Sequence, residues 1–301
     1  MKASAVCVFF SLVFAAFAAA GPQKIAFVRG DNIWIANNDG TAAKKIAVGS
    51  DPSISLAGTQ VAFNTAPWSA YQSAARGAEP DPERHIAIVD LGSGKVTKLK
   101  DIPRKCSDPV ISPDGTWIIL SVARDYFFDL DIVRMDATGF KVIKEGTEVG
   151  HPMYYSPCWA PDSGSIFCHD TKNIYRLGLD GAVLAQWGIR KILPDYQYLT
   201  GSISVSSDGN RLLISQEYRR DSEAPPPSLW LFDLVSQQSR RLVTPKELSV
   251  NGGCWLDKQH ILFQSGTAGE SDRPGIYRMS LDGKDLKRLI KNGSGPTVSA
   301  P

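Results

Sequence analysis

Histidine and cysteine are scarce in this chain, at four and five residues among 301. No Cys-x-x-Cys pair occurs, so the spacing that would hold zinc or run dithiol redox chemistry is missing. No Gly-x-Ser-x-Gly elbow occurs either, which removes the nucleophile of an α/β-hydrolase. Gly92-Ser93-Gly94-Lys95 lacks the spacing and the following Ser/Thr of a phosphate loop, and reads as a turn between strands. An excess of one charge is also missing: 33 basic residues stand against 31 acidic ones, for a net charge of +2. Nucleic acid is therefore not the default partner.

One apolar run stands out, at the very start. Lys2 precedes an apolar stretch over residues 5–16, and Ala18-Ala19-Ala20 offers a small-residue cleavage site. The run is short for a membrane span and has no basic stop after it. The expectation is a signal peptide over residues 1–20, an exported protein (periplasmic or secreted), and a folded domain over residues 21–301 without a stable membrane span. Cys7 lies inside the apolar run, a poor place for lipid attachment.

What the chain has in quantity is turn chemistry, with 26 glycines and 19 prolines between short apolar runs. The clearest unit is residues 108–120, in which Pro113-Asp114-Gly115 separates two apolar strands. Proline presets φ, aspartate bonds nearby backbone, and glycine accepts positive φ. The unit is restated. Inner-strand copies begin at residues 52, 109, 157, 203, 253 and 296, at intervals of roughly 43 to 57 residues. That period matches a four-stranded propeller blade.

Each copy continues into a third strand, such as Ile174-Tyr175 or Ile276-Tyr277, then an Asp-Gly turn, then a fourth, more charged strand. The gradient has a cause: strands near the axis are buried on both faces, while outermost strands are edges protected by charge. Three strands over residues 25–47 lack an innermost partner, and residues 296–300 supply one. The expected fold is all-β: a six-bladed β-propeller of four-stranded blades, closed by the C-terminal strand pairing with the N-terminal strands. Arg29-Gly30-Asp31 falls in the first hairpin and reads as turn.

Ser112-Pro113-Asp114-Gly115 with flanking apolar strands, the Ile-Tyr third strands and the Asp180-Gly181 and Asp282-Gly283 turns resemble the repeats of TolB-type six-bladed β-propellers. The resemblance covers essentially residues 21–301, though residues 56–58 and 256–258 lack the proline. It implies an exported, non-enzymatic module that binds proteins, of the cell envelope among others, through its surface and central channel. It also implies a propeller-only chain, since residue 21 runs straight into the first strand where full-length TolB carries an α/β domain.

An enzymatic alternative rests on two histidines. Gly150-His151-Pro152 and Phe167-Cys168-His169-Asp170 loosely resemble segments of oligogalacturonate lyases, which hold a divalent metal with several histidines. His151 and His169 are the candidate ligands on that reading. The family's remaining ligands have no counterpart here, because His85 and His260 fall in other repeats. The expectation is accordingly no metal and no cofactor. Cys158 and Cys254 occupy one repeat position and read as packing, while a Cys158–Cys168 bridge stays open with a register about one residue off.

Loop length points to the binding face. The first-to-second and third-to-fourth strand turns share one face and are short. The connections on the other face are longer: residues 64–84, 123–129, 145–156, 188–201, 217–227 and 266–274. Long loops on a rigid scaffold are where function usually sits. These carry Trp68, Tyr71, Tyr126, Phe127, Tyr154, Tyr155, Tyr196, Tyr198 and Tyr218, with Arg76, Arg84 and Arg219, residue types enriched in protein-recognition hot spots. The same aromatics could instead pin the loops down. Asp51 and Asp108 precede two inner strands and read either as carboxylates at the channel mouth or as turn residues.

Overall fold

Short apolar runs broken by Gly, Pro and Asp leave the chain little choice but strands joined by tight turns. The computed structural model describes residues 22–67, 69–70, 83–103, 105–124, 127–146, 153–217, 227–245, 248–266 and 274–300, and they form six four-stranded antiparallel sheets. Blade I contains β1 (Lys24–Arg29), β2 (Asn32–Asn37) and β3 (Lys44–Val48). Blade II contains β4 (Ser50–Ile54), β5 (Gln60–Asn64), β6 (Ile86–Asp90) and β7 (Val96–Lys98). Blade III contains β8 (Cys106–Ile111), β9 (Trp117–Arg124), β10 (Phe127–Arg134) and β11 (Lys141–Lys144). Blade IV contains β12 (Tyr155–Trp159), β13 (Ser165–His169), β14 (Asn173–Gly178) and β15 (Val183–Gly188), followed by a single turn, α1 (Ile189–Ile192). Blade V contains β16 (Ile203–Val205), β17 (Arg211–Gln216), β18 (Ser228–Asp233) and β19 (Ser239–Arg241). Blade VI contains β20 (Val250–Trp255), β21 (His260–Ser265), β22 (Gly275–Ser280) and β23 (Lys287–Lys291), and β24 (Ser294–Val298) completes blade I.

A sheet has two faces, and each must be covered by the next blade. Six apolar cores result, one per blade interface. Phe167 and Ile174 of blade IV meet Leu212, Ile214 and Phe232 of blade V, for example. The outer part of the expected gradient is present, since β5 and β6 of blade II are buried almost throughout and every residue of β7 is exposed; innermost strands such as β20 are only partly buried, because they face the axis. In blades I, IV and VI the third-to-fourth strand turn packs on the outer edge of the preceding blade. Gly181 (φ 81°) shows why that turn ends in glycine, since a Cβ there would lie 2.3 Å from the Ile143 carbonyl oxygen.

The ring closes as the sequence implies. β24 pairs antiparallel with β1, with Ile25 opposite Val298 and Ala26 opposite Thr297. The ends are then clasped. Lys24 N–H donates to Ser299 Oγ at 2.8 Å, and the Gln23 amide donates to the carbonyls of Leu256 (2.7 Å) and Ser299 (3.1 Å). Ala300 N–H donates to Leu56 O at 2.8 Å, tying the terminus to blade II. Among the described residues the core at this VI–I interface is the smallest, with 7 buried members against 9 to 13 elsewhere, so closure leans on these hydrogen bonds.

Two expectations need correction. The 123–129 connection is not a loop, because β9 and β10 continue as a hairpin until Arg124 faces Phe127. The inner strands also begin earlier than their prolines: β4, β8, β12, β20 and β24 start at residues 50, 106, 155, 250 and 294. Each of these five carries a register shift before its proline or equivalent residue. As for the cysteines, Cys158 lies opposite Phe167, one residue from Cys168, and the two form no disulfide. Burial pushes the Cys158 and Cys254 thiols up to about 12, as expected of inert packing residues.

Candidate functional site

The register shifts share one geometry. Asp51, Asp108, Ser156, Gly252 and Gly295 all have left-handed φ, between 50° and 55°. They occupy one position of the blade repeat, the residue directly before the inner-strand proline or its equivalent. A bulge there bends the strand and re-aims the side chain. The six inner strands contact one another in sequence around the axis, so the bulges ring the channel at the long-loop face.

Inner strands are stitched to one another close to the bulges. Ile111 N–H donates to Ser53 Oγ at 3.0 Å, Ile203 N–H to Ser156 Oγ at 2.9 Å, and Ile54 N–H to Thr297 Oγ1 at 3.2 Å. Trp159 and Trp255, in matching Cys-Trp pairs, donate their indole N–H to Val110 O (2.9 Å) and Ser204 O (3.1 Å) of the preceding blade. The mouth is therefore rigid, which suits a preorganised binding site.

Two adjacent bulges carry carboxylates. Burial pushes the Asp51 carboxyl up to about 7, reinforced by Asp108 and opposed by the Ser50 hydroxyl and the Arg84 guanidinium. Burial also raises Asp108, against hydrogen bonds from Ser107 and Ser121 and the charge of Arg84. Asp108 is nevertheless exposed and Asp51 half-buried, so solvent reaches the pair and weakens this effect at Asp108. The two acids titrate as one unit with Arg84 as their cation. Arg84 is held there by a parallel bridge to Lys105. Glu217, one residue past β17 in blade V, stands across the ring from blade II, and burial raises its carboxyl as well. Glu217 was missed in the sequence because it reads only as the first residue of a long loop.

The predicted face residues divide. Tyr154 and Tyr196 are core: Tyr154 packs edge-on against Tyr175, and the Tyr196 hydroxyl meets Ser228 Oγ at 2.8 Å with its ring edge-on to Trp230. They pin their loops and are not part of an open surface. Tyr155 is half-buried on β12 between Phe128 and His169. Tyr198 is 43% exposed. Phe127 starts β10 opposite Arg124. Trp68, Tyr71, Arg76, Tyr126, Tyr218 and Arg219 lie outside the described residues. The structure thus gathers Asp51, Asp108 and Arg84 and leaves Tyr154 and Tyr196 in the interior.

His169 is committed to the fold. Its Nδ1 accepts from Thr171 N–H at 3.2 Å and its Nε2–H donates to Gly201 O at 3.0 Å, which fixes the neutral tautomer. Burial drives its pKa down to about 4. His151 lies outside the described residues. Among the described residues no group of three or more His, Cys, Asp or Glu is placed to hold a metal. None of their helices is long and apolar enough to cross a membrane.

No protein-family model matches the chain, and neither does any curated protein sequence. Solved structures do. TolB from Acinetobacter baumannii superposes with a TM-score of 0.66 at 16% identity, over 93% of this chain and 67% of that one. A chain of a nidogen/laminin complex gives 0.63 at 14% identity, over 92% of this chain and 98% of that one. Oligogalacturonate lyase from Vibrio parahaemolyticus gives 0.55 at 13% identity, over 84% and 73%. At these identities the likeness is one of fold, and the fold is the six-bladed propeller that TolB carries.

Proposed function

We propose that the protein is an exported binding module that holds a protein partner on its long-loop face, with a cationic segment of the partner entering the channel mouth. One observation carries this reading. At a backbone position where glycine serves blades VI and I, blades II and III place Asp51 and Asp108. Each aspartate there costs about 1 kcal/mol of backbone strain, and burial and mutual repulsion add to that. The fold needs none of this, since glycine satisfies the same bulge. Groups kept at a cost to stability are characteristic of binding sites. A lysine, arginine or chain amino terminus entering the mouth would neutralise the pair, and displacement of water there would strengthen the interaction.

Export is supported by the residue pattern of 1–20. The carbohydrate-lyase alternative has less behind it, because both ring nitrogens of His169 are spent on backbone. The test uses the purified protein as bait, with covalent capture in extracts of its own cell envelope, beside D51N/D108N. The reading expects a partner retained by the native protein and lost from the variant at unchanged fold. Equal retention by both would remove the mouth from the function.

A further inference from the structure

The outer rim hides a charge asymmetry that the balanced composition conceals. β3, β7, β11, β19 and β23 together hold ten Lys and Arg and not one Asp or Glu. The whole chain is nearly balanced, so an indifferent draw of charged residues would make roughly half of them acids. Three of the ten serve the fold, since Lys141, Lys144 and Arg240 donate to the carbonyls of Leu179, Gly181 and Leu281 in the next blade's turn; for the other seven, edge protection asks for charge and often uses lysine, but it does not forbid glutamate or aspartate. Among the described residues, none of the ten is in an ion pair, and all but the half-buried Lys144 are exposed.

The rim is also continuous. Blades V, VI, I, II and III follow one another around the ring, and each has a basic outer strand. Blade IV breaks the arc, since β15 has no charge and exposes Val183 and Leu184 instead. The richest sector is the junction of blades VI and I, with Lys287, Arg288 and Lys291 on β23 and Lys44 and Lys45 on β3. These two strands adjoin: a Cβ on Gly40, in the turn leading to β3, would lie 2.5 Å from Leu289 O of β23.

We propose that this arc is a binding surface for a linear acidic polysaccharide. The rim is convex, so a flexible chain can follow it from blade to blade, whereas a flat lipid surface touches one or two strands at a time. Successive basic strands then act as linked weak sites, which multiplies their affinities. Single-stranded nucleic acid fits less well, because it needs exposed aromatics for stacking. The one aromatic on the six outer strands is Trp187, which is half-buried and lies in the blade without cations. Lysines dominate, and as hydrated point charges they suit dispersed carboxylates or sulfates.

The experiment measures binding of a fluorescein-labelled heparin oligosaccharide, and separately of a glucuronate polymer, by anisotropy across a salt series. Two variants carry the same loss of charge: K44Q/K45Q/K287Q/K291Q on the rim, and K172Q/R190Q/K191Q/K258Q off the basic arc. The proposal expects the rim variant to bind about tenfold or more weakly with a shallower salt dependence, and the other to stay within about twofold of the native protein. Melting temperatures, expected to be equal, exclude unfolding. Equal losses in both variants would reduce the effect to net charge and overturn the proposal. So would the absence of polysaccharide binding at low salt, or binding confined to vesicles of anionic phospholipid.

Discussion

Two pairs of neighbouring blades at the channel mouth share a backbone and differ in chemistry, with the Ser156 bulge of blade IV beside them. On blades VI and I the left-handed bulge is glycine, at Gly252 and Gly295; on blades II and III it is aspartate, at Asp51 and Asp108. The glycine pair sits at the seam where the chain ends meet, and it meets the bulge's φ at least strain. The aspartate pair accepts strain, burial and repulsion within a fold that does not require them.

Opening the seam is the largest perturbation. Removing residues 292–301 takes away β24, its ladder with β1 and the Ser299 and Ala300 contacts. With burial of Val298, that amounts to about 5 kcal/mol, comparable with a typical net stability of about 5–15 kcal/mol. Thermal melting of the truncated protein should show a large drop in Tm. An unchanged melt would mean that the seam does not hold the ring.

Next in size is a residue outside both pairs. Tyr196 is buried in the IV–V core, so Tyr196→Ala should cost about 3 kcal/mol in denaturant unfolding. Tyr198→Ala, two residues on and exposed, should stay within about 0.5 kcal/mol. If the two changes cost the same, the division between pinning and surface aromatics fails.

The aspartate pair should respond with the opposite sign. The folded pKa of Asp51 and Asp108 is raised, so the folded state favours their protonated forms. The penalty is absent below the unfolded value near 4, grows as pH rises from there toward the folded value, and is complete above it. D51N should therefore raise stability at pH 8 by about 2 kcal/mol, and the gain should vanish near pH 4. A loss of stability at pH 8 would show the carboxylate to be structural. His169 behaves inversely. Its depressed pKa contributes stability above pH 6.5 that is lost as pH falls toward 4, so H169Q should flatten the acid limb of the melt.

The smallest expected effect comes from moving the acid to the other pair. A Cβ on Gly295 meets nothing within 4 Å, so Gly295→Asp adds only the strain of its left-handed φ, about 1 kcal/mol. A much larger loss would mean that the two pairs are not the same backbone after all.

Much of this was legible in the sequence. The Pro-Asp-Gly turns, the repeat period and the strand missing from residues 25–47 are local or additive signals, and they dictate six blades and their closure. The bulges were not legible, because a residue before proline is biased toward extended backbone and Asp51 and Asp108 read as the approach to a strand. Tyr154 and Tyr196 were misplaced for a related reason: residues 145–156 and 188–201 are long in sequence, but parts of them fold inward, and α1 buries Ile189 and Ile192. Loop length reports where a chain has freedom, and packing decides which side chains use it. The Arg84–Asp51–Asp108 cluster joins residues from two blades, so only the closed ring assembles it.

The central claim is that the aspartate pair serves capture and not folding. The most direct measurement is the dissociation constant of the captured partner between pH 5 and pH 8 for the native protein and D51N/D108N, with Tm recorded at each pH. The account predicts native affinity that strengthens as the pair loses its proton, and a variant that binds about tenfold or more weakly with little pH dependence while melting higher at pH 8. A variant that binds as tightly as the native protein across the range would contradict it.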